Sequence, residues 1–225
     1  MEYIKLDENN VPVISTIRRK PDWRKASGDL LTDAELRESH GLYPLVQDRP
    51  ETNPVTEYYQ RRPVEDWHVT DEKVVATFDI KKHDLVKIKE RLRELVADLR
   101  WRIEVGGVYC RVTGNDENDL PVKIDTSRDG RAALLEEKEA AVNGERKDGE
   151  LWKTLGGFKS LDNSQIVEAW KAARKMRKQS FEREKALLDK IESLESAQEA
   201  EDFLDNDVTY GWPENALEEA KIKEA

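Results

Sequence analysis

Between Asp84 and Glu104 the apolar residues Leu85, Ile88, Leu92, Leu95 and Leu99 recur at steps of 3, 4, 3 and 4. That spacing lines them up on one face of an α-helix as a heptad seam. The stretch 85–99 spans about 21 Å at 1.5 Å per residue. A seam this short admits two readings. It packs within its own domain, or it bundles subunits, with Leu85, Ile88, Leu92, Leu95 and Leu99 as an oligomer interface. Composition bears on the choice. Of 225 residues, 37% are apolar and 38% charged, against about 25% charged in an ordinary domain. So thin a core leaves the seam few partners inside the chain. The sequence therefore points to long solvated helices, to partner chains, or to both.

Charge narrows the partners. Acidic residues number 48 and basic ones 38, a formal charge of −10. Duplex nucleic acid is not an expected partner, because most of the surface would repel phosphates. The single cysteine, Cys110, excludes an intrachain disulfide framework and any Cys-rich metal site. The opening MEYIKLDENN lacks the basic and apolar regions of a secretory leader. No run approaches the roughly 18 apolar residues of a membrane span. The expectation is a soluble chain made in a reducing cytoplasm, with no membrane partner and no cofactor.

Along the chain, Tyr3-Ile4-Lys5-Leu6 and Val11-Pro12-Val13-Ile14 flank Asp7-Glu8-Asn9-Asn10, which reads as a β-hairpin. Pro12 suits only an edge strand. The basic run from Arg18 begins a loop. Thr32 with Glu35 forms a capping box, and Gly41 is placed to end that helix. Pro44, Pro50, Pro54 and Pro63 punctuate an extended stretch. Residues 56–60 and 74–80 read as strands.

After the heptad helix, Gly106-Gly107 is a stop. Residues 108–112 and 120–124 form a hairpin, 131–142 a helix, and 151–154 with 158–161 a second hairpin. Asp162 with Gln165 opens a long helix to about Ser193. The fold class is α+β. The expected domains are a β-rich attachment module over 1–82, the heptad helix over 83–105, a helix and β-hairpin domain over 106–213, and an acidic tail over 214–225.

From Leu99 onward the order of short motifs is specific. Arg100-Trp101-Arg102-Ile103-Glu104-Val105-Gly106-Gly107-Val108 is followed by Pro121-Val122-Lys123-Ile124-Asp125-Thr126-Ser127-Arg128. Then come Trp152-Lys153-Thr154, Gly157-Phe158, Leu161, Phe181-Glu182-Arg183-Glu184, Leu187-Leu188 and Gly211-Trp212-Pro213. This series resembles the uncharacterised C-terminal domain of proteins in tailed-bacteriophage tail-fibre and baseplate modules, over residues 85–213. Gly41-Leu42-Tyr43-Pro44-Leu45-Val46, Arg49-Pro50 and Asn53-Pro54-Val55-Thr56 resemble the front module of phage tail-fibre accessory and assembly proteins. The sequence departs from the pattern at residues 113–119, where the hairpin tip is longer and more acidic than a tight turn.

The resemblance implies no catalytic residue. It implies a bacteriophage tail structural protein, a fibre or baseplate-to-fibre adaptor that assembles as a homotrimer with other tail chains. Its place would be the virion tail, after synthesis in the host bacterial cytoplasm. The alternative is a tail-fibre assembly chaperone absent from the mature virion.

Site candidates are few. Asp125, Ser127, Asp129, Gly130 and Glu136 fall at calcium-loop spacing. However, a strand precedes Asp125, and Arg128 and Arg131 oppose a cation, so a strand-to-helix turn is the expectation. Lys171, Arg174, Lys175, Arg177 and Lys178 form a basic stretch mid-helix. It is a solvated face paired with Glu168, Glu182 and Glu184, a contact for an acidic neighbour in an assembly, or a nucleic-acid or membrane patch. His40, His68 and His83 are scattered, so no metal site is expected. Cys110 has no base in view and reads as a small buried hydrophobe. The chain carries no phosphate-cradling Gly-rich loop, no HExxH and no GxSxG. Catalysis is not expected. Trp101, Trp152, Trp170 and Trp212 read as core. Trp23, Tyr58, Tyr59 and Trp67 are the candidates for docking a partner.

Overall fold

Asp7 organises the first turn. Its carboxylate accepts from the backbone N–H of Asn9 and of Val11, each at 2.8 Å, and Asn10 adopts a left-handed φ of 60°. The turn joins β1 (Glu2–Leu6) to β2 (Pro12–Arg19) as an antiparallel pair. The computed structural model describes residues 1–110 and 122–213. The chain is α+β and divides into two units, Met1–His83 and Asp84–Ala225.

In the first unit, α1 (Asp33–His40) starts at Thr32. The Thr32 Oγ1 accepts from the Glu35 N–H, and the Glu35 carboxylate accepts from the Thr32 N–H at 2.9 Å. Gly41 ends the helix at φ 63°, a conformation that costs a side chain strain but glycine none. The chain then forms β3 (Leu42–Gln47), β4 (Glu57–Arg61), β5 (His68–Val69), β6 (Val74–Ala76) and β7 (Phe78–Lys82).

The main sheet runs β2-β1-β3-β6-β5, with β3 and β6 parallel and the other pairs antiparallel. β2 is an edge, where Pro12 lacks no ladder partner. Ile4, Leu45, Trp67, Val74 and Ala76 fill the core of this unit. The segment 74–80, read from sequence as one strand, changes partner at Thr77. Its first part pairs with β3 and β5, while its second pairs with β4 in a separate ribbon.

The second unit is built on one long helix. Its elements are α2 (Leu85–Val105), β8 (Val108–Cys110), β9 (Val122–Ile124), α3 (Arg128–Asn143), β10 (Glu150–Thr154), β11 (Gly157–Leu161), α4 (Asn163–Ser193) and α5 (Ala197–Asn206). α2 is part of this unit and not a segment apart. The hairpin β8–β9 is present, and its acidic 113–119 tip lies outside the described residues.

Ion pairs give the helix directions. Arg93 meets Glu192 at 2.6 Å, Arg100 meets Glu184 at 3.3 Å, and Glu104 meets Arg177 at 3.0 Å. The α2 numbers rise as the α4 numbers fall, so the helices are antiparallel. On the other half of α4, Lys138 lies 5.1 Å from the Trp170 ring, and Arg146 donates to Asn163 Oδ1 at 3.0 Å. α3 is therefore antiparallel to the N-terminal half of α4, and α2 to its C-terminal half. The end of α2 meets the start of α3 beside Arg177.

Val108, Ile124, Leu134, Leu161, Ile166 and Met176 anchor the core of this unit. Its far end is closed by Trp212, whose Nε1 donates to the Val208 carbonyl at 2.8 Å. Arg183 helps, donating to the carbonyls of Asp207 and Tyr210 at 2.7 and 3.0 Å. No helix among the described residues is long and apolar enough to cross a membrane.

Candidate functional site

The turn from β9 into α3 decides what meets the end of α2. Asp125 Oδ1 accepts from the Ser127 N–H at 2.8 Å, and Oδ2 accepts from the Ser127 hydroxyl at 2.9 Å. Ser127 Oγ in turn caps α3 by accepting from the Gly130 N–H at 3.1 Å. Thr126, fully buried, accepts from the Gly107 N–H at 2.8 Å. That bond ties the chain just after α2 to the chain just before α3, and it brings Arg131 beside Glu104. The near-calcium spacing is thus a strand-to-helix turn whose oxygens bind the turn itself. Among the described residues no group of His, Cys, Asp and Glu could hold a metal ion.

Glu104 is the centre of the arrangement. It is 6% exposed. Its Oε1 lies 3.1 Å from Arg131 Nη1 and 3.0 Å from Arg177 Nε, and its Oε2 accepts from Arg100 Nη1. Arg131 Nη1 also donates to the Thr126 carbonyl at 2.5 Å. Arg100 and Arg177 stand over the Phe181 ring at 5.2 and 5.4 Å. A buried carboxylate is costly unless paired, and here three guanidinium groups from three helices satisfy it.

Next to this cluster α3 and α4 enclose a cavity of about 270 Å³. Leu134, Ala173 and Trp170 form its floor, and Arg131, Arg174 and Arg177 its rim. Arg174 lies over the Trp170 ring at 5.4 Å, and among the described residues no carboxylate pairs with it. The Arg177 side chain is 49% exposed. The arrangement has no nucleophile or base. It can hold an anionic group against an apolar floor.

The structure redistributes the residues singled out in the sequence. Of the heptad seam, Ile88 and Leu92 are fully buried inside their own unit, together with Val96. The buried line of α2 therefore advances in steps of four. α4 and α5 pack against α2, and Ile88 and Leu92, fully buried in their own unit, cannot serve as knobs for a neighbouring subunit. Leu85, Leu95 and Leu99 stay half-buried.

Trp67 is a correction. It is 5% exposed, its Nε1 donates to the Arg62 carbonyl at 3.0 Å, and it belongs to the first core. A side chain so enclosed cannot dock a partner. Trp23, Tyr58 and Tyr59 are exposed, each against a second ring: Trp23 on His40, Tyr58 on His83 and Tyr59 on Phe78. In the second unit Trp212 is buried, Trp152 and Trp170 are half-buried, and Trp101 is exposed.

The basic stretch is also split. Arg177 turns to Glu104 and Arg174 to Trp170, while Lys178 alone keeps its expected partner, Glu182, at 3.5 Å. Glu184 crosses to Arg100. Cys110 is half-buried, and burial, aided by the charge of Glu168, pushes its thiol up to about 11. That thiol is no nucleophile at neutral pH.

Residues 87–208 match the model of a family described as Domain of unknown function (DUF4376). The chain belongs to this family. Neither curated proteins nor solved structures gave a match. Glu104, Arg131, Trp170, Arg174 and Arg177 all lie within the DUF4376 region, as does every element from α3 to α5. The sequence named the basic residues of α4 in this DUF4376 domain, and Arg131 only as a charge opposing a cation, but did not reveal that Arg131 and Arg177 meet on Glu104. A signal for Glu104 was present. Steps of four from Ile88 pass through Leu92, Val96 and Arg100 and end on it.

Proposed function

We propose that this chain is a structural assembly protein of a bacteriophage tail, joining tail or fibre chains by surface contact and not by catalysis. The observation that carries the reading is the ordered motif series from Leu99 to Pro213, with its likeness to tail-fibre and baseplate module proteins. The way these motifs are used supports it. Gly107, Thr126 and Ser127 close the junction of α2 and α3. Thr154 Oγ1 donates to the Gly157 carbonyl at 2.7 Å in the β10–β11 turn, and Trp212 closes the far end. The polar groups of the series hold the architecture, which suits a module whose task is to present a surface.

That surface has two features of a binding protein. One is the cationic groove of the second unit. The other is the β4–β7 ribbon of the first, where Tyr59 pairs across from exposed Ile80 and Tyr58 is exposed on the opposite face. Exposed aromatic and aliphatic side chains on a short ribbon are the usual anchors of protein contacts.

The test is deletion of the coding sequence from the phage that carries it, with electron microscopy of the resulting particles. Tails that form without attached fibres are the expected outcome. Complete, infectious tails would overturn the proposal. Rescue only when the chain is present during assembly, with none retained in the particle, would reassign it as a chaperone.

A further inference from the structure

The geometry points to the α3–α4 groove as a binding site for an acidic peptide segment that carries an apolar side chain among its carboxylates. The inference rests on the groove and not on the viral assignment, so the two stand or fall separately.

The charge of the groove runs against that of the chain. The chain carries a net charge of −10, yet three arginines and no carboxylate line this cavity. Such a cationic site on an acidic chain is not a consequence of composition. Its charge is also only partly spent. Glu104 engages Arg131 through Nη1 and Arg177 through Nε. The fork of Arg174 meets no carboxylate among the described residues, and the Arg177 side chain, although paired with Glu104, is 49% exposed. An arginine fork binds a carboxylate through paired N–H donors, and such charge-assisted bonds are the strong ones.

The guanidinium groups are also held in place before any ligand arrives. Glu104, itself pinned by Arg100, fixes two of the three guanidinium groups. The third is laid on Trp170, which Lys138 covers at 5.1 Å. Little side-chain freedom remains to be lost on binding, which favours affinity.

The floor of the groove is apolar. Leu134 and Ala173 are buried, Trp170 is half-buried, and Leu135 stands 40% exposed at the mouth. A bare phosphate or a carboxylate-only polymer would leave that apolar surface in water. A leucine or phenylalanine between acidic residues would cover it, and a cavity of about 270 Å³ has room for one such side chain.

The experiment uses the full chain and fluorescence anisotropy of a labelled octapeptide, with glutamates and aspartates flanking a central Leu-Phe pair. Saturable binding is expected at micromolar concentration. Arg174→Glu is expected to weaken it at least about tenfold, and Leu135→Asp by a similar factor. Neither residue holds a core position, and circular dichroism confirms that the fold is kept. Replacing Leu-Phe by Gly-Gly in the peptide is expected to lower affinity at least about fivefold, because the floor is then uncovered.

Several results would overturn the inference. These are absence of binding, equal binding to the Arg174→Glu variant, or equal binding of the Gly-Gly peptide. Tighter binding of a single-stranded oligonucleotide or of anionic vesicles would also do so. Self-association of the chain that Arg174→Glu abolishes would make a second copy the occupant instead.

Discussion

Arg177, midway along α4, holds its Nε 3.0 Å from Oε1 of Glu104, the last buried side chain of α2. The same oxygen faces Arg131 of α3 at 3.1 Å. One carboxylate thereby fixes where three helices meet.

Glu104→Ala leaves Arg100, Arg131 and Arg177 crowded with Glu184 as their remaining carboxylate. Breaking a fully buried pair costs about 3–5 kcal/mol. Partial exposure of the arginines lowers the expectation to about 2 kcal/mol. Urea unfolding is expected to show a lower midpoint with an unchanged slope. A midpoint equal to that of the wild type would remove Glu104 from its central role.

Gly130 sets two effects against each other. Within a helix, Gly→Ala ordinarily adds up to about 1 kcal/mol of stability. Here a Cβ would stand 2.5 Å from Asp125 Cγ and 2.7 Å from the Asp125 carbonyl oxygen. The clash includes backbone and wins, so Gly130→Ala is expected to destabilise by about 1–3 kcal/mol. Thermal unfolding reads the sign, and a stabilised variant would show that the turn yields.

Glu35 gives the first unit an acid signature. The Lys25 ammonium at 2.7 Å, followed by the Thr32 N–H and hydroxyl, holds its carboxyl down from 4.5 to about 2. A depressed carboxyl contributes stability above the unfolded value and loses it as pH falls through the folded one. The contribution is complete above about pH 4.5 and fades toward pH 2. Carbon-detected NMR titration is expected to place the Glu35 midpoint near 2, and Lys25→Met to raise it.

Cys110 gives a chemical check on β8. With its thiol pushed from 9.0 to about 11, the thiolate at pH 8 falls about a hundredfold. Alkylation of the folded chain is expected to be slower than that of the urea-unfolded chain by at least that factor. Equal rates would mean that the strand does not enclose the sulfur.

Local chemistry was the most legible part of the sequence. Thr32, Glu35 and Gly41 wrote α1 with both its caps. Asn10, Gly107 and Gly157 marked turns that the structure contains, and Pro12 marked the sheet edge. What stayed hidden depended on distant partners. β3 runs through Pro44, a residue that argues against an inner strand until its neighbours β1 and β6 are known. The split at Thr77 follows from which strand each half meets. Trp67 looks like any surface aromatic until β6 and β3 enclose it. Glu104 reads as an exposed acid at a helix end, because two of its three arginines, Arg131 and Arg177, come from positions 27 and 73 residues farther along. The heptad seam left its two readings open for a related reason. Leu85, Leu95 and Leu99 fit a coiled coil, but the line that is fully buried when α4 and α5 pack on α2 runs through Ile88, Leu92 and Val96.

Quantitative mass spectrometry of purified phage particles tests the central claim of a tail structural role most directly. Peptides of this chain are expected at a fixed stoichiometry to a tail protein, in particles washed at high salt. Their complete absence from infectious particles, with the chain abundant in the lysate that produced them, would contradict it.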